Sequence, residues 1–247
     1  MFSLRSVAKT YSSGIVALEN ITADIAPGEF VALLGPSGCG KSTLLRLLAG
    51  LEKPSSGEIV WENHQQPAAG EIGFVFQDAT LMPWLNAADN VYLPLRLRGV
   101  RKSAAQPKIK AMLAQVGLEE FAQSRPKALS GGMRMRVSIA RALISEPLLL
   151  LMDEPFAALD EFTRHRLQDD LHTVWRRSGK TIVFVTHSIY EAAYLASRII
   201  VMSPRPGRIA ADIRTNLPEG DDRRTSPAYT RLVTDITHRL REIMPHE

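Results

Sequence analysis

The chain has 247 residues, 30 basic and 26 acidic side chains, a formal net charge of +4 and a single cysteine. This length can bury a full core, and one cysteine excludes an intramolecular disulfide framework. The basic residues are scattered, which argues against a nucleic-acid partner. No apolar run approaches the ~20 residues of a spanning helix, and no signal peptide is recognisable. We therefore expect a protein that does not cross a membrane by itself.

The first 28 residues predict short strands of a half-exposed antiparallel sheet. Phe2–Val7 and Ile21–Ile25 alternate apolar and polar side chains, and Pro27-Gly28 ends the segment. Tyr11 stands beside a Ser-Ser-Gly turn, where composition alone favours simple packing.

An apolar strand, Phe30–Leu34, leads into a phosphate-binding pattern, and a helix over Thr43–Leu51 is expected after it. The pattern fits G-x-x-x-x-G-K-[ST] in full. Its glycines let backbone N–H groups turn towards a phosphate, Lys41 supplies a positive charge and Ser42 offers a hydroxyl to Mg²⁺. We interpret Cys39 as a small residue filling the loop. The predicted site consists of Gly35, Pro36, Ser37, Gly38, Cys39, Gly40, Lys41, Ser42 and Thr43.

The middle of the chain changes from strand to helix character. Strands are expected at Gly57–Trp61 and Ile72–Phe76, the second ending at Gln77. From 78 to 147 the apolar period is helical, with breaks predicted at Pro83, Pro94, Gly99, Pro107, Gly117 and Pro126. This pattern predicts an inserted helical subdomain.

A second anion site is predicted inside this helical region. Leu129 and Ser130 are followed by Gly131 and Gly132, and an apolar-periodic helix comes next. Ser130 suits a helix N-cap, and the glycines leave neighbouring N–H groups open. Taken alone, such a pattern is usually no more than a cap.

Strand character resumes with the apolar run Leu148–Met152, which fits a strand buried on both faces of a parallel sheet. It ends at two carboxylates. Asp153 can hold Mg²⁺ directly or through water, and Glu154 can orient and deprotonate an attacking water molecule. Because buried carboxylates need partners, we interpret this pair as functional.

The remaining elements alternate in type. A helix over 161–177, a strand over Thr181–Thr186 ending at His187, a helix over 189–196 and a strand over 198–203 are expected, with a final helix over Tyr229–Ile243. This alternation predicts an α/β fold with a mainly parallel sheet and its chemistry at the carboxyl ends of the strands.

These motifs together resemble the ATP-binding-cassette ATPases. The resemblance covers residues 1 to 215 and rests on the P-loop, Gln77, Leu129–Met133, Leu149–Glu154, Ala158-Leu159-Asp160 and Thr186-His187. It implies a P-loop NTPase core with an N-terminal antiparallel β subdomain and the helical subdomain inserted at about 78–147. Residues 216–247 would form a short C-terminal tail with one helix.

The resemblance also implies roles for single residues. Two copies would pair head to tail, so that the P-loop of one and Ser130, Gly131, Gly132 and Met133 of the other enclose one ATP. The catalytic residues would be Glu154 as base, His187 beside the γ-phosphate and Gln77. Tyr11 would stack on adenine, and Asp160 would lie at the dimer seam. Mg²⁺ would be held by Ser42, Gln77 and Asp153.

Three positions depart from the commonest pattern of the family. Met133 replaces Gln, Ala157 replaces Ser and Ser188 replaces Asp after the histidine. None of these changes removes a phosphate ligand or the base, so the expected ATPase activity stands.

The sequence most resembles the nitrate, sulfonate and taurine importer branch of the family. It has one cassette, no long coiled coil and no spanning segment. Permease subunits would then dock on the loop 77–85, where Leu81, Met82, Trp84 and Leu85 either contact the permease or merely pack the subdomains.

We expect an ATP-hydrolysing subunit of a bacterial importer on the cytoplasmic face of the inner membrane. Its partners would be a second copy of itself or a homologous cassette, the permease subunits and, indirectly, a substrate-binding protein. The alternative is a non-transport or envelope-remodelling cassette acting through a different partner.

Overall fold

The computed structural model describes residues 1–62, 67–68, 70–157, 159–217 and 221–243, apart from the side chains at 221 and 222. It divides into two compact units. One contains Met1–Gln66 and Thr181–Glu247, and the other contains Pro67–Lys180. We call them the P-loop unit and the helical unit.

Most of the expected elements are present in the described residues. The strands are β1 (Phe2–Thr10), β2 (Val16–Ile25), β3 (Phe30–Leu34), β4 (Ser56–Trp61), β5 (Ile72–Val75), β6 (Leu149–Asp153), β7 (Thr181–Thr186), β8 (Arg198–Met202) and β9 (Ile209–Arg214). The α-helices are α1 (Lys41–Leu48), α2 (Ala87–Leu97), α3 (Lys102–Gln115), α4 (Gly131–Leu143), α5 (Glu161–Ser178), α6 (Ile189–Leu195) and α7 (Pro227–Ile243).

The P-loop unit contains an antiparallel sheet in the order β2-β1-β4. Phe2, Leu4 and Val7 of β1 are buried, while Arg5 is exposed. Phe2, Leu4 and Arg5 match the alternation in the sequence, since successive side chains of a strand point to opposite faces. Val7 is also buried because the pairing of β1 with β2 shifts its register between Leu4 and Val7. The predicted N-terminal antiparallel sheet is confirmed.

The same unit contains parallel strands, with β3 between β7 and β8. Every residue of these three strands is buried, as expected for parallel strands covered on both faces. Strand β9 adds an antiparallel edge to β8 and was not predicted. Its alternating Ile209, Ala211 and Ile213 are the signal that would have revealed it.

The helical unit combines the parallel pair β5 and β6 with helices α2 to α5. Helices α2, α3 and α4 share one apolar cluster, which includes Val91, Ile109 and Val137. The predicted breaks at Pro94 and Pro107 were wrong, because both prolines lie inside helices. Burial of the apolar faces offsets the lost backbone hydrogen bonds.

The last helix of the P-loop unit, α7, buries Ile236 and Leu240 and contacts α6. It begins two residues before the predicted start. None of the helices in the described residues is long and apolar enough to cross a membrane. The domain boundaries 1–215, 78–147 and 216–247 stay predictions.

Candidate nucleotide-binding site

The register of the parallel strands brings three loops to one sheet edge. Leu34 at the end of β3 is aligned with Thr186 of β7 and Val201 of β8. Gly35 and His187 therefore follow neighbouring strand ends. His187 is exposed there. Ligands of open α/β sheets bind at such carboxyl ends.

The P-loop needs glycine at Gly40 for two reasons. Its φ of 101° lies in the left-handed region, and a Cβ would stand 2.7 Å from the Ala17 carbonyl oxygen. Gly40 is also the N-cap of α1, and as a glycine it has no side chain with which to cap the helix. The positive end of the helix dipole is thereby directed at the loop, which favours an anion.

Lys41 is buried, with 5% of its surface exposed. Its Nζ donates hydrogen bonds to the carbonyl oxygens of Gly35, at 2.7 Å, and Pro36, at 2.8 Å. A buried ammonium requires such partners. The two bonds hold the positively charged ammonium group of Lys41 against the backbone at the start of the P-loop. Cys39 is 1% exposed, which agrees with its interpretation as a residue that fills the loop.

Tyr11 is attached to the P-loop helix through its hydroxyl. The Oη atom lies 3.0 Å from Oγ1 of Thr43, and it donates to Oε1 of Glu52 at 3.3 Å. The Nζ of Lys9 lies 5.4 Å from the ring centroid and 3.3 Å from Oε2 of Glu52. Tyr11 is thus part of a polar network, and Glu52 and Lys9 are members that sequence reasoning missed.

In the helical unit, β5 and β6 place the predicted polar residues at one sheet edge. Val75 is aligned with Met152, so Gln77, just beyond the end of β5, and Asp153, the last residue of β6, lie at neighbouring strand ends. Gln77 is exposed and Asp153 is buried. Glu154 has a φ of 47°, which is costly for a residue with a side chain. Such strain is common at functional sites.

Two predicted elements begin helices in this unit. Ser130 is the N-cap of α4 and accepts a hydrogen bond from the Met133 N–H at 3.2 Å. Asp160 is the N-cap of α5 and accepts from the Thr163 N–H at 2.9 Å. This bond lowers the pKa of Asp160. A Cβ on Gly132 would lie 3.0 Å from Cδ2 of Leu159, and Ala158 lies outside the described residues.

Ser188, which stands where aspartate is usual in the family, is the N-cap of α6. Its Oγ accepts a hydrogen bond from the Glu191 N–H at 3.3 Å at the start of α6. Serine and aspartate are both good N-caps, so the substitution is locally conservative. Ala157 is exposed, and its N–H donates to the Glu154 carbonyl.

The loop after Gln77 is organised by two residues that the sequence did not single out. Asn90 is completely buried, accepts from the Met82 N–H at 2.8 Å and donates to the carbonyls of Met82, Leu85 and Asn86. Arg141 donates to the carbonyls of Ala79 and Thr80. Burial lowers the pKa of Arg141. Asn90 is a polar residue among the apolar positions of α2, and this pattern in the sequence could have indicated a buried, hydrogen-bonded side chain.

The structure groups the predicted residues by unit. Tyr11, the P-loop and His187 belong to the P-loop unit. Gln77, Ser130–Met133, Asp153, Glu154 and Asp160 belong to the helical unit.

Comparison with known proteins decides the family. The family model described as ABC transporter matches residues 18–157. The chain belongs to the ABC transporter family. The resemblance found in the sequence and the predicted α/β fold are thereby confirmed, and the ABC chain is an ATP-binding ATPase of this family.

Relatives of this ABC chain include two taurine import ATP-binding proteins named TauB. That of Burkholderia pseudomallei (strain K96243) is 47% identical over 213 residues, which cover 84% of this chain and 81% of the relative. That of Rhizobium johnstonii is 44% identical over 238 residues, covering 93% and 90%.

A solved structure also matches this ABC chain closely. It shows a dimeric post-hydrolysis state of the ATP-binding cassette MJ0796 bound to ADP and Pi. The TM-score is 0.79 and the identity 37%, with 87% of this chain and 99% of the other covered.

Proposed function

We propose that this chain is the ATP-hydrolysing subunit of a bacterial importer for a small nutrient, such as taurine, a sulfonate or nitrate. The observation that carries the proposal is its 43–47% identity to four taurine import ATP-binding proteins. These matches cover between 84% and 96% of the chain.

The nucleotide site is proposed to need two copies of the chain. The P-loop supplies Lys41 and the N-terminus of α1 as one anion site. The start of α4, capped by Ser130, supplies a second. Pairing the P-loop of one copy with Ser130, Gly131, Gly132 and Met133 of another would enclose one ATP between them. The dimeric relative bound to ADP and Pi supports this arrangement. Asp160 would then lie at the seam.

The residues present suit Mg²⁺. Asp153 offers a carboxylate at a buried strand end, Ser42 a hydroxyl and Gln77 an amide oxygen. In the described part of the chain, no cluster of three or more His, Cys, Asp or Glu side chains forms a dedicated metal cage. Mg²⁺ typically takes few protein ligands and fills its shell with phosphate and water, which agrees with this set. The ion would neutralise charge on the phosphates.

Different residues of the chain would bind the nucleotide and carry out its hydrolysis. Lys41 would hold the β and γ phosphates with its fixed ammonium, while Tyr11 holds the adenine. Glu154 would orient a water molecule and accept its proton on a carboxylate oxygen as the water attacks the γ-phosphorus. His187 would contact the γ-phosphate, and Gln77 would help to orient the water.

The proposed permease contact is the loop after Gln77. Asn90 holds its backbone, and Trp84 remains 68% exposed. A fixed loop with an exposed aromatic residue suits a protein interface. The chain would work on the cytoplasmic face of the inner membrane, with a substrate-binding protein delivering the nutrient to the permease.

The proposal is tested with Glu154→Gln. We expect this variant to bind ATP, to lose hydrolysis by at least ~10²-fold and to accumulate as an ATP-bound dimer in size-exclusion chromatography. Hydrolysis at the wild-type rate would overturn the assignment of the base.

The transport role has its own test. A strain lacking the gene should lose uptake of one radiolabelled nutrient among taurine, alkanesulfonates and nitrate, and the wild-type gene should restore it. The Glu154→Gln gene should not. Undiminished uptake of all three nutrients in the deletion strain would refute this importer assignment.

A further inference from the structure

The segment Ser203–Arg208, which follows β8, lies directly against the P-loop. We call it the 203–208 loop. A Cβ on Gly207 would stand 2.0 Å from the Cys39 carbonyl oxygen, so the two backbones are in direct contact. Its backbone also exchanges hydrogen bonds with β2, from the Gly207 N–H to Ala17 and from the Glu19 N–H to Gly207, each at 3.0 Å. The loop therefore has a fixed position beside the predicted phosphate site.

The loop is also braced internally. The Ser203 hydroxyl oxygen accepts from the Arg208 N–H at 3.1 Å and donates to the carbonyls of Pro204 and Pro206. Arg208 forms an exposed ion pair with Glu19 at 2.8 Å. The Ser203 hydrogen bonds hold the backbone of the loop between its two arginines, whereas the exposed ion pair of Arg208 contributes little to its shape.

Arg205 extends from this braced loop onto the P-loop. Its Nε and Nη2 atoms both lie 3.2 Å from the Gly38 carbonyl oxygen and donate to it. A Cβ on Gly38 would come within 3.2 Å of the same Nη2 atom. The guanidinium thus closes one side of Gly38.

The peptide that Arg205 holds has unusual freedom. Gly38 has a φ of 74°, and a glycine can rotate its peptide more easily than other residues. In a trans peptide the C=O and the next N–H point in opposite directions. Fixing the Gly38 carbonyl therefore fixes the Cys39 N–H, which donates to the Pro36 carbonyl at 3.4 Å across the P-loop.

We propose that Arg205 is a positioning residue of the nucleotide site, holding the Gly38–Cys39 peptide so that the Cys39 N–H points into the phosphate-binding loop. This inference rests on the proposed binding of ATP at the P-loop. Arg205 acts through the backbone, and its side chain is exposed to solvent. Losing it should weaken binding of the phosphate chain while leaving the chemical step nearly unchanged.

The experiment compares Arg205→Ala with Arg208→Ala in the full-length protein. Arg208 is the matched control, since it is an exposed arginine on the same loop that pairs with Glu19. We expect Arg205→Ala to raise the Kd for ATP and for ADP, and the KM for ATP, by roughly three- to tenfold, with kcat changed less than twofold. Arg208→Ala should match the wild type. Arg205→Lys keeps a positively charged hydrogen-bond donor but loses the planar guanidinium, so it should recover part of the affinity.

Two outcomes would overturn the inference. Equal ATP affinities of Arg205→Ala and Arg208→Ala would show that the guanidinium does not position the loop. A fall in kcat with unchanged KM and Kd would assign Arg205 to the chemical step instead. Thermal unfolding of each variant separates both results from a loss of folding. Failure of the wild type to bind ATP would refute the proposed function itself.

Discussion

The hydroxyl oxygen of Tyr11 lies 3.0 Å from Oγ1 of Thr43, and this contact connects the residue directly after strand β1 with helix α1, which follows the P-loop. The two residues are 32 positions apart in the sequence. Glu52 accepts a hydrogen bond from the same hydroxyl. The ring proposed to stack on adenine is therefore fixed to the element proposed to bind the phosphates, and both ends of the nucleotide would be held by one network.

The first prediction separates the ring of Tyr11 from its hydroxyl. Tyr11→Phe keeps a ring for stacking and loses both hydrogen bonds, so we expect the KM for ATP to rise about two- to fivefold. Tyr11→Ala removes the ring as well and should raise it further. Steady-state kinetics over a range of ATP concentrations measures both changes.

The control for Tyr11 is Tyr229→Phe. Its hydroxyl donates to the Tyr190 carbonyl at 3.2 Å, so the same phenol bond is lost elsewhere in the P-loop unit. This variant should keep the wild-type KM. A Tyr11→Ala enzyme with unchanged KM would argue that the ring only packs.

The second prediction concerns the ion pair between Arg198 and Asp212. Arg198 is 6% exposed and donates to both carboxylate oxygens of Asp212, at 2.8 and 2.6 Å. These bonds lower the pKa of Asp212. A carboxyl whose pKa is depressed by folding stabilises the protein above its unfolded pKa of about 3.9. The contribution is lost as the pH falls through the lower, folded value.

Asp212→Asn should therefore lower the free energy of unfolding near neutral pH, and the difference from wild type should shrink below about pH 4. We expect ~1–2 kcal/mol, reduced by solvent screening because 42% of the Asp212 side chain is exposed. Urea unfolding from pH 7 to pH 3 measures it. Asp235→Asn, which breaks an exposed pair with Arg239, should change stability by less than ~0.5 kcal/mol. A pH-independent difference for Asp212→Asn would contradict the linkage.

The third prediction concerns Asn90. Replacing it by alanine leaves the Met82 N–H and three carbonyls without their buried partner, so the free energy of unfolding should fall by about 2–4 kcal/mol. Chemical denaturation gives this value. Asn216→Ala, at an exposed position, is the control and should be nearly neutral. A stability loss below ~1 kcal/mol for Asn90→Ala would show that the loop holds its shape without the amide.

The parts of the fold that the sequence predicted are those set by local patterns. The P-loop strand has the predicted bounds Phe30–Leu34, because a continuous apolar run followed by glycines specifies both a buried strand and its end. The contacts that escaped prediction join residues far apart in sequence. Arg205 and Gly38 are 167 positions apart, and no periodicity links them. Pro94 misled the prediction because packing of α2 outweighs its local preference.

The last prediction tests Trp84 as part of the proposed permease contact. The side chain is 68% exposed, so Trp84→Ala should leave the stability and the ATP affinity of the isolated protein unchanged. Exposed aromatic residues at an interface often carry 2 kcal/mol or more of binding energy, so co-purification with the membrane fraction should fall roughly tenfold or more. Tyr190→Ala is the control, since Tyr190 is 66% exposed in the other unit. Equal membrane retention of the two variants would show that Trp84 is not part of the permease contact. Replacing a residue that contacts the permease must reduce membrane retention more than replacing an unrelated exposed aromatic residue.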